Sequence, residues 1–332
     1  MNEILTEIPF NEIPGLRTGH AQDNEGITGC TVLLADTDMA AAVDVRGGGP
    51  ASRETELLSP TASCERIHAL LLSGGSAFGL RAAEGVMRYL EEHGRGFDTG
   101  FARVPLVCAS CLYDLEIGDA CARPDADMGY AACLDTARNS AECGNVGAGT
   151  GCTVGKLGGV ETMMKSGLGC YAVRAGNIMV GAVVAVNALG DVFDIDSGKR
   201  TAGMLLPDRS GFADSEKVLF CSTEERADNL FTGNTTIGAV VTNACFDKNK
   251  LKKIASMAHN GLARTIRPLH TSADGDSIYA LSTGKLRANQ DAVGTLAALV
   301  MGKAVNRAVL AAQDMAGYPA ACGLSFPTHH GA

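Results

Sequence analysis

Two-thirds of the way along the chain, Gly233-Asn234-Thr235-Thr236 runs into the apolar, largely β-branched stretch Ile237-Gly238-Ala239-Val240-Val241. Read as chemistry, Asn234-Thr235 is a junction where a chain can cut itself and leave Thr235 as a new N-terminus. Such a threonine carries a hydroxyl nucleophile and an α-amine on one residue. The amine titrates near pH ~8 and can act as base for its own hydroxyl. A plainer reading stands beside this one, because Gly-Asn before a β-branched run is also how a turn enters a strand. These residues alone do not separate the two.

Other chemistry-bearing patterns are weaker. Lys156 lies in Thr153-Val154-Gly155-Lys156-Leu157-Gly158-Gly159, a setting where a lysine is usually solvated. Asn187 is the only strongly polar side chain in the apolar run 178–188, so its amide is satisfied at a strand end or aimed into a site. Asp274-Gly275-Asp276 is by itself a turn. The glycine-rich stretch 145–151 lacks the G-x-G-x-x-G order and a clear preceding strand, which argues against a dinucleotide loop. Residues 191–198 lack the terminal Glu spacing of a calcium loop. The terminal pair His329-His330 reads as a solvated end. Among the 12 cysteines the one CxxC, Cys108-Ala109-Ser110-Cys111, has no second pair at zinc spacing and sits in a strand-like run. Reduced, buried thiols are expected.

The surrounding elements must position these groups. Residues 31–35 and 40–45 read as two strands, and 67–72 as a third that stops at Ser73-Gly74-Gly75. Ser76 looks like the N-cap of a helix carrying Phe78, Ala82, Val86, Met87 and Leu90, closed by Gly94. Residues 197–234 turn polar, with Lys199-Arg200, Asp208-Arg209 and Glu224-Glu225-Arg226, an excursion that delivers the chain to Asn234. After a strand at 236–241, Asp247 can cap a helix with Leu251, Ile254, Ala258 and Leu262 on one face. A strand at 277–281 and a helix at about 291–312, with Val293, Leu296, Val300, Ala304 and Leu310 in register, complete the pattern. Helices and strands alternate and no linker divides the 332 residues, so a single layered α/β sandwich is expected. Any cut at Asn234 would be covalent and would not split the fold.

Composition narrows the partners. A formal net charge of −9 and the lack of a basic, aromatic-interleaved stripe argue against nucleic acid. No uninterrupted apolar run approaches membrane-spanning length, and Met1-Asn2-Glu3-Ile4-Leu5-Thr6-Glu7 does not read as a signal peptide. A cytoplasmic protein is expected.

Several blocks taken in order resemble the L-aminopeptidase/D-esterase family, the DmpA-like β-aminopeptidases that include nylon-oligomer hydrolases. They are Val43-Asp44-Val45-Arg46-Gly47-Gly48-Gly49-Pro50, Arg53-Glu54-Thr55 and Leu72-Ser73-Gly74-Gly75-Ser76-Ala77-Phe78-Gly79-Leu80. Further on come Gly144-Asn145-Val146-Gly147-Ala148-Gly149-Thr150-Gly151, Val186-Asn187-Ala188-Leu189-Gly190-Asp191, Asn234-Thr235-Thr236-Ile237-Gly238 and Asp274-Gly275-Asp276.

The resemblance implies a four-layer αββα sandwich made as one precursor, cut at Asn234-Thr235 into residues 1–234 and 235–332, and assembled into homo-oligomers of such αβ units. It implies Thr235 as nucleophile, with Lys156, Asn187, Asp274 and Asp276 where the nylon-hydrolase branch places polar partners. The peptidase branch has Ser and Glu near the Asp-Gly-Asp positions, so this chain sides with the nylon-hydrolase-like branch there. For the family tyrosine near the nucleophile, Tyr130 is the first choice and Tyr113 the reserve. In those roles Lys156 would help keep the Thr235 amine neutral, and Asn187 would donate to the oxyanion. Asp274 and Asp276 would orient the amine and Lys156, or bind a substrate ammonium. The implied activity is hydrolysis of short peptides, amino-acid amides or related oligoamides without metal or cofactor. Two alternatives remain: acyl transfer to an amine, as in ornithine acetyltransferases, and an uncleaved ligand-binding protein on the same fold.

Overall fold

The computed structural model describes residues 4–221, 223 and 233–324. Glu224-Glu225-Arg226 and His329-His330 lie outside the described residues. The elements that build the site are, in chain order, β1 (Leu16–Asp23), β2 (Thr28–Val45), β3 (Ile67–Ser73), α1 (Ala82–Glu92), β4 (Val107–Cys111) and α2 (Ala126–Asp135). They continue with β5 (Leu168–Ala175), β6 (Ile178–Ala185), β7 (Ile237–Ala244), α3 (Lys248–Thr265), β8 (Ser277–Leu286) and α4 (Gln290–Leu310).

Strand β2 is the spine. Successive side chains of a strand point to opposite faces. Odd-numbered Leu33, Ala35, Met39, Ala41 and Val43 all enter one central core. Even-numbered Cys30, Val32 and Leu34 enter a second core against α1 and α2, while Ala40 and Ala42 enter a third against α3 and α4. One strand of 18 residues therefore lends its halves to two sheets. The two strands expected at 31–35 and 40–45 are one, because the residues between them stay extended where the sheets diverge. A register shift between Leu34 and Met39 in the pairing with β3 marks that point.

The first sheet runs β5, β6, β7, β8, β2, with Thr6–Ile8 at its edge. The second contains β1, β2, β3, β4 and the short strand Ala51–Arg53. Three apolar cores separate four layers: helices α3 and α4, the first sheet, the second sheet, and helices α1 and α2. This is the expected αββα sandwich.

The helices follow the sequence with local corrections. Asp247 caps α3 by accepting from Lys250 N, and Leu251, Ile254, Ala258 and Leu262 are buried. Helix α4 is long and apolar enough to cross a membrane by length and composition, although Asp291, Lys303 and Arg307 interrupt it. Here that apolarity is buried: Val293, Val300 and Ala304 sit in the α3–α4 core, and Leu310 at the end is exposed. Ser76 does not cap α1. It has φ +53° and opens a 3-10 turn over Ser76–Arg81, and the α-helix begins only at Ala82. The buried Asp114 carboxylate sets this entry, accepting from Gly75 N at 2.6 Å and from Thr28 Oγ1 at 2.7 Å. All twelve cysteines are free, and burial pushes the Cys108 thiol up to about 12.

Candidate active site

Strand register, which cannot be read from sequence, assembles the site. Strands β7 and β8 run parallel with Ile237 beside Ser277, and the alignment extends backward to a bridge between Asn234 and Asp274. Asn234-Thr235-Thr236 therefore lies alongside Asp274-Gly275-Asp276. On the other flank β6 pairs antiparallel with β7, Ala185 opposite Ile237. Continuing that register brings Asn187 opposite Thr235, whose N–H donates to the Asn187 carbonyl at 2.8 Å.

The chain is continuous through Thr235, which is only 5% exposed. Its hydroxyl donates to the carbonyl oxygen of Asn234. That same oxygen accepts from Gly275 N at 3.0 Å. The nucleophile candidate is thus packed onto the carbonyl of the bond before it, and a backbone N–H already holds the oxygen on which negative charge would develop. A side chain at 275 would not fit, since a Cβ there would lie 2.7 Å from Thr235 Oγ1 and 2.8 Å from the Gly49 carbonyl oxygen.

Lys156 is buried, not solvated. Its Nζ donates to Asn187 Oδ1 at 2.8 Å, to the Gly233 carbonyl at 3.3 Å and to Glu116 Oε1 at 2.7 Å. Glu116 was invisible in the sequence, where nothing in Leu115-Glu116-Ile117-Gly118 marks it. The Asn187 amide is committed to cross-links: Oδ1 also accepts from Thr153 N at 3.1 Å, and Nδ2 donates to the Tyr113 carbonyl at 2.6 Å. In the continuous chain, then, the backbone donor to the Asn234 carbonyl, beside the Thr235 hydroxyl, is Gly275 N–H. Asn187 meets Thr235 through its backbone, where its side chain was expected to serve.

Neither aspartate touches Lys156. Asp274 Oδ2 accepts from Thr271 N at 2.6 Å and from Thr271 Oγ1 at 2.7 Å. Asp276 Oδ1 accepts from Thr236 N at 2.7 Å, and Oδ2 meets His270 Nδ1 at 2.7 Å. Burial and the neighbouring Asp276 push the Asp274 carboxyl up to about 6. A carboxyl whose folded value exceeds its unfolded one destabilises the fold once ionised. That cost is absent below the unfolded value of about 4 and fully present above the folded value. Asp274→Asn in a Thr235→Ala background should raise Tm at pH 7.5, with a smaller gain at pH 5. Equal Tm changes at the two pH values would contradict this assignment.

The first-choice tyrosine is corrected. Tyr130 lies on α2 with its hydroxyl donating to Glu92 Oε2 at 2.6 Å and its ring under the Arg88 guanidinium, an exposed contact between α1 and α2. The reserve, Tyr113, is at the site. Its ring packs flush on Gly233, where a Cβ would come within 2.1 Å of the ring, and its carbonyl takes the Asn187 amide.

Comparison with known proteins places this geometry in context. Residues 10–321 match the sequence model of peptidase family S58. An uncharacterized aminopeptidase of Mycobacterium leprae is 39% identical over 364 residues, spanning 98% of this chain and 96% of its own. A 6-aminohexanoate-oligomer endohydrolase of Kocuria sp. is 31% identical over 315 residues, 89% of this chain and 84% of its own. Among solved structures, the L-aminopeptidase D-Ala-esterase/amidase of Ochrobactrum anthropi, described as a variant of the Ntn hydrolase fold, superposes with a TM-score of 0.70. That match covers 94% of this chain and 88% of the other at 17% identity. A β-aminopeptidase of Burkholderia sp. gives 0.65 at 19% identity, covering 94% and 91%. These last two likenesses establish a shared fold.

Proposed function

The chain belongs to peptidase family S58, and from that premise we propose that it is a self-processing amide hydrolase whose nucleophile is Thr235. The observation that carries the reading is the Thr235 hydroxyl lying on the Asn234 carbonyl, with Gly275 N–H on the carbonyl oxygen. In self-cleavage a bond forms between Thr235 Oγ and the Asn234 carbonyl carbon. The Asn234–Thr235 C–N bond then breaks, and the nitrogen leaves with a proton as the new α-amine. Water hydrolyses the resulting ester, giving the Asn234 carboxylate and returning the hydroxyl.

The same atoms then serve a substrate amide. The Thr235 amine takes the hydroxyl proton and passes it to the leaving amine, while water resolves the acyl-enzyme. Gly275 N–H stabilises each oxyanion, a contact worth about 3 kcal/mol in comparable sites. The Lys156 charge, fixed by Glu116 and Asn187, disfavours protonation of the Thr235 amine and keeps it a base at neutral pH.

Gly275→Ala should therefore slow self-cleavage by ~10²-fold or more, read as conversion of full-length chain to two pieces, because the added methyl displaces the hydroxyl from the carbonyl. A rate within threefold of the parent would remove Gly275 from the account.

Short peptides, amino-acid amides and oligoamides are the proposed substrates. The aminopeptidase named in M. leprae and the oligomer endohydrolase named in Kocuria sp. support that range. Incubation with amino-acid p-nitroanilides and with 6-aminohexanoate oligomers, with and without an added amine, tests it. We expect release of the free acid in water alone. Acyl transfer to the amine without hydrolysis would favour an acyltransferase, and no turnover by a cleaved chain would contradict the proposal.

A further inference from the structure

Two cysteines that the chemistry above leaves unused meet at one flank of β5. Alternate N–H groups of a strand point to the same flank and each needs an acceptor there. On this flank the edge strand Thr6–Ile8 pairs only with Ala172–Arg174. Further back, Leu168 N donates to the Gly144 carbonyl at 2.9 Å, and Gly144 N donates to the Leu168 carbonyl at 2.7 Å. Between these two pairings lies Cys170, whose N–H donates to the Cys143 sulfur at 3.2 Å. The sulfur thus stands in the ladder where a backbone oxygen would otherwise be. It also lies 4.0 Å from the Cys170 carbonyl oxygen, and the two thiols meet side chain to side chain.

The pair differs from the other thiols of the core. Burial pushes the Cys108, Cys133 and Cys152 thiols up to about 12. The Cys170 thiol, helped by the Cys170 N–H and Arg307, draws Cys143 below the usual thiol range. Cys143 is partly buried and Cys170 buried. A cavity of about 410 Å³ reaches Cys170 from the surface, lined also by Pro9, Ala141 and Arg307. Small solutes therefore have a way to the pair.

We propose that Cys143 and Cys170 are an oxidisable dithiol, a site where a hydroperoxide converts two neighbouring thiols into one disulfide. Cys143, the more accessible, reacts first. Its sulfur attacks one peroxide oxygen, the O–O bond breaks, and the other oxygen leaves as water, so that Cys143 becomes a sulfenic acid. The Cys170 sulfur then attacks the Cys143 sulfur. The S–O bond breaks, and the hydroxyl leaves as a second water with the proton of the Cys170 thiol. With hydrogen peroxide, two thiols and one peroxide give one disulfide and two waters; the sulfurs lose two electrons and the peroxide gains them. The new bond closes residues 143–170 into a covalent loop, and that segment carries Lys156. Both cysteines precede Thr235, so the proposal stands whether or not the chain cuts itself.

The test treats the parent chain with hydrogen peroxide at a dose that oxidises the exposed Cys121. Free thiols are then blocked with iodoacetamide in denaturant, and peptides are mapped by mass without reduction. Expected is one peptide pair joined through Cys143 and Cys170, two hydrogens lighter than the separate peptides and parted by dithiothreitol. Cys170→Ala should instead stop at a sulfenic acid on Cys143, which dimedone traps. Cys143→Ser should leave Cys170 a free thiol after the same treatment. Recovery of both residues of the parent as alkylated thiols, once Cys121 is oxidised, would overturn the proposal. So would a bond from either one to a different cysteine.

Discussion

Thr235→Ala should abolish amide hydrolysis and leave the chain in one covalent piece. On the proposed reading both effects would come from one missing hydroxyl, which would attack the Asn234 carbonyl in the precursor and the substrate carbonyl afterwards. Removing a nucleophile typically costs about 10⁴-fold or more in kcat. The only side-chain hydrogen bond that the Thr235 hydroxyl donates goes to the neighbouring Asn234 carbonyl, so the fold should lose no more than about 1 kcal/mol. Thr235→Ser keeps an oxygen in place and should still self-cleave, at a lower rate, because it lacks the methyl that limits rotation of the hydroxyl. The measurement is kcat/KM on an amino-acid p-nitroanilide together with the fraction of chain cleaved. An alanine variant that still self-cleaves, or that hydrolyses substrate at a tenth of the parent rate, would move the nucleophile elsewhere.

Lys156→Met is the second large effect. The methionine approximately fills the volume of a side chain that is 1% exposed, but removes the cation and its three hydrogen bonds. Asn187 Oδ1 would keep only Thr153 N, and the amide that sets the wall of the site would loosen. Glu116 would lose its partner. Because Glu116 is 19% exposed, the stability cost should fall below the ~3–5 kcal/mol of breaking a fully buried pair. Function should suffer more than stability: self-cleavage slower by ~10²-fold or more, and hydrolysis by ~10³-fold. Its activity should also shift to higher pH, because the Thr235 amine gains basicity when the nearby positive charge is gone. Lys156→Arg should not rescue, since a planar fork does not fit a point-charge site this enclosed. Rates and pH profiles near those of the parent would reduce Lys156 to a structural residue.

How far the sequence reached follows from what kind of information each feature needs. Strands β6, β7 and β8 and helix α3 were legible because local patterns specify them: an apolar run, a β-branched run, an Asp cap and a 3.6-residue stripe. The pairing of Asn234-Thr235-Thr236 with Asp274-Gly275-Asp276 was not, because register is set by the sheet as a whole. Gly275 N–H was missed for the same reason, although the glycine between two aspartates was a signal that a backbone approaches closely there. Glu116 and His270 carried no signal, as each is defined only by a partner distant in sequence. Tyr130 was the first choice for the family tyrosine and Tyr113 the reserve. The structure sets Tyr113, which follows β4, beside Gly233. The single long β2 was read as two strands, 31–35 and 40–45, and the two-sheet geometry explains why the residues between them stay extended.

The most direct test of the central claim is the intact mass of the purified parent chain under denaturing conditions, with N-terminal sequencing of what is found. The account predicts two species whose masses sum to the full chain plus one water, the smaller beginning at Thr235. A single full-length mass, or a cut that leaves any other residue at the new N-terminus, would contradict it.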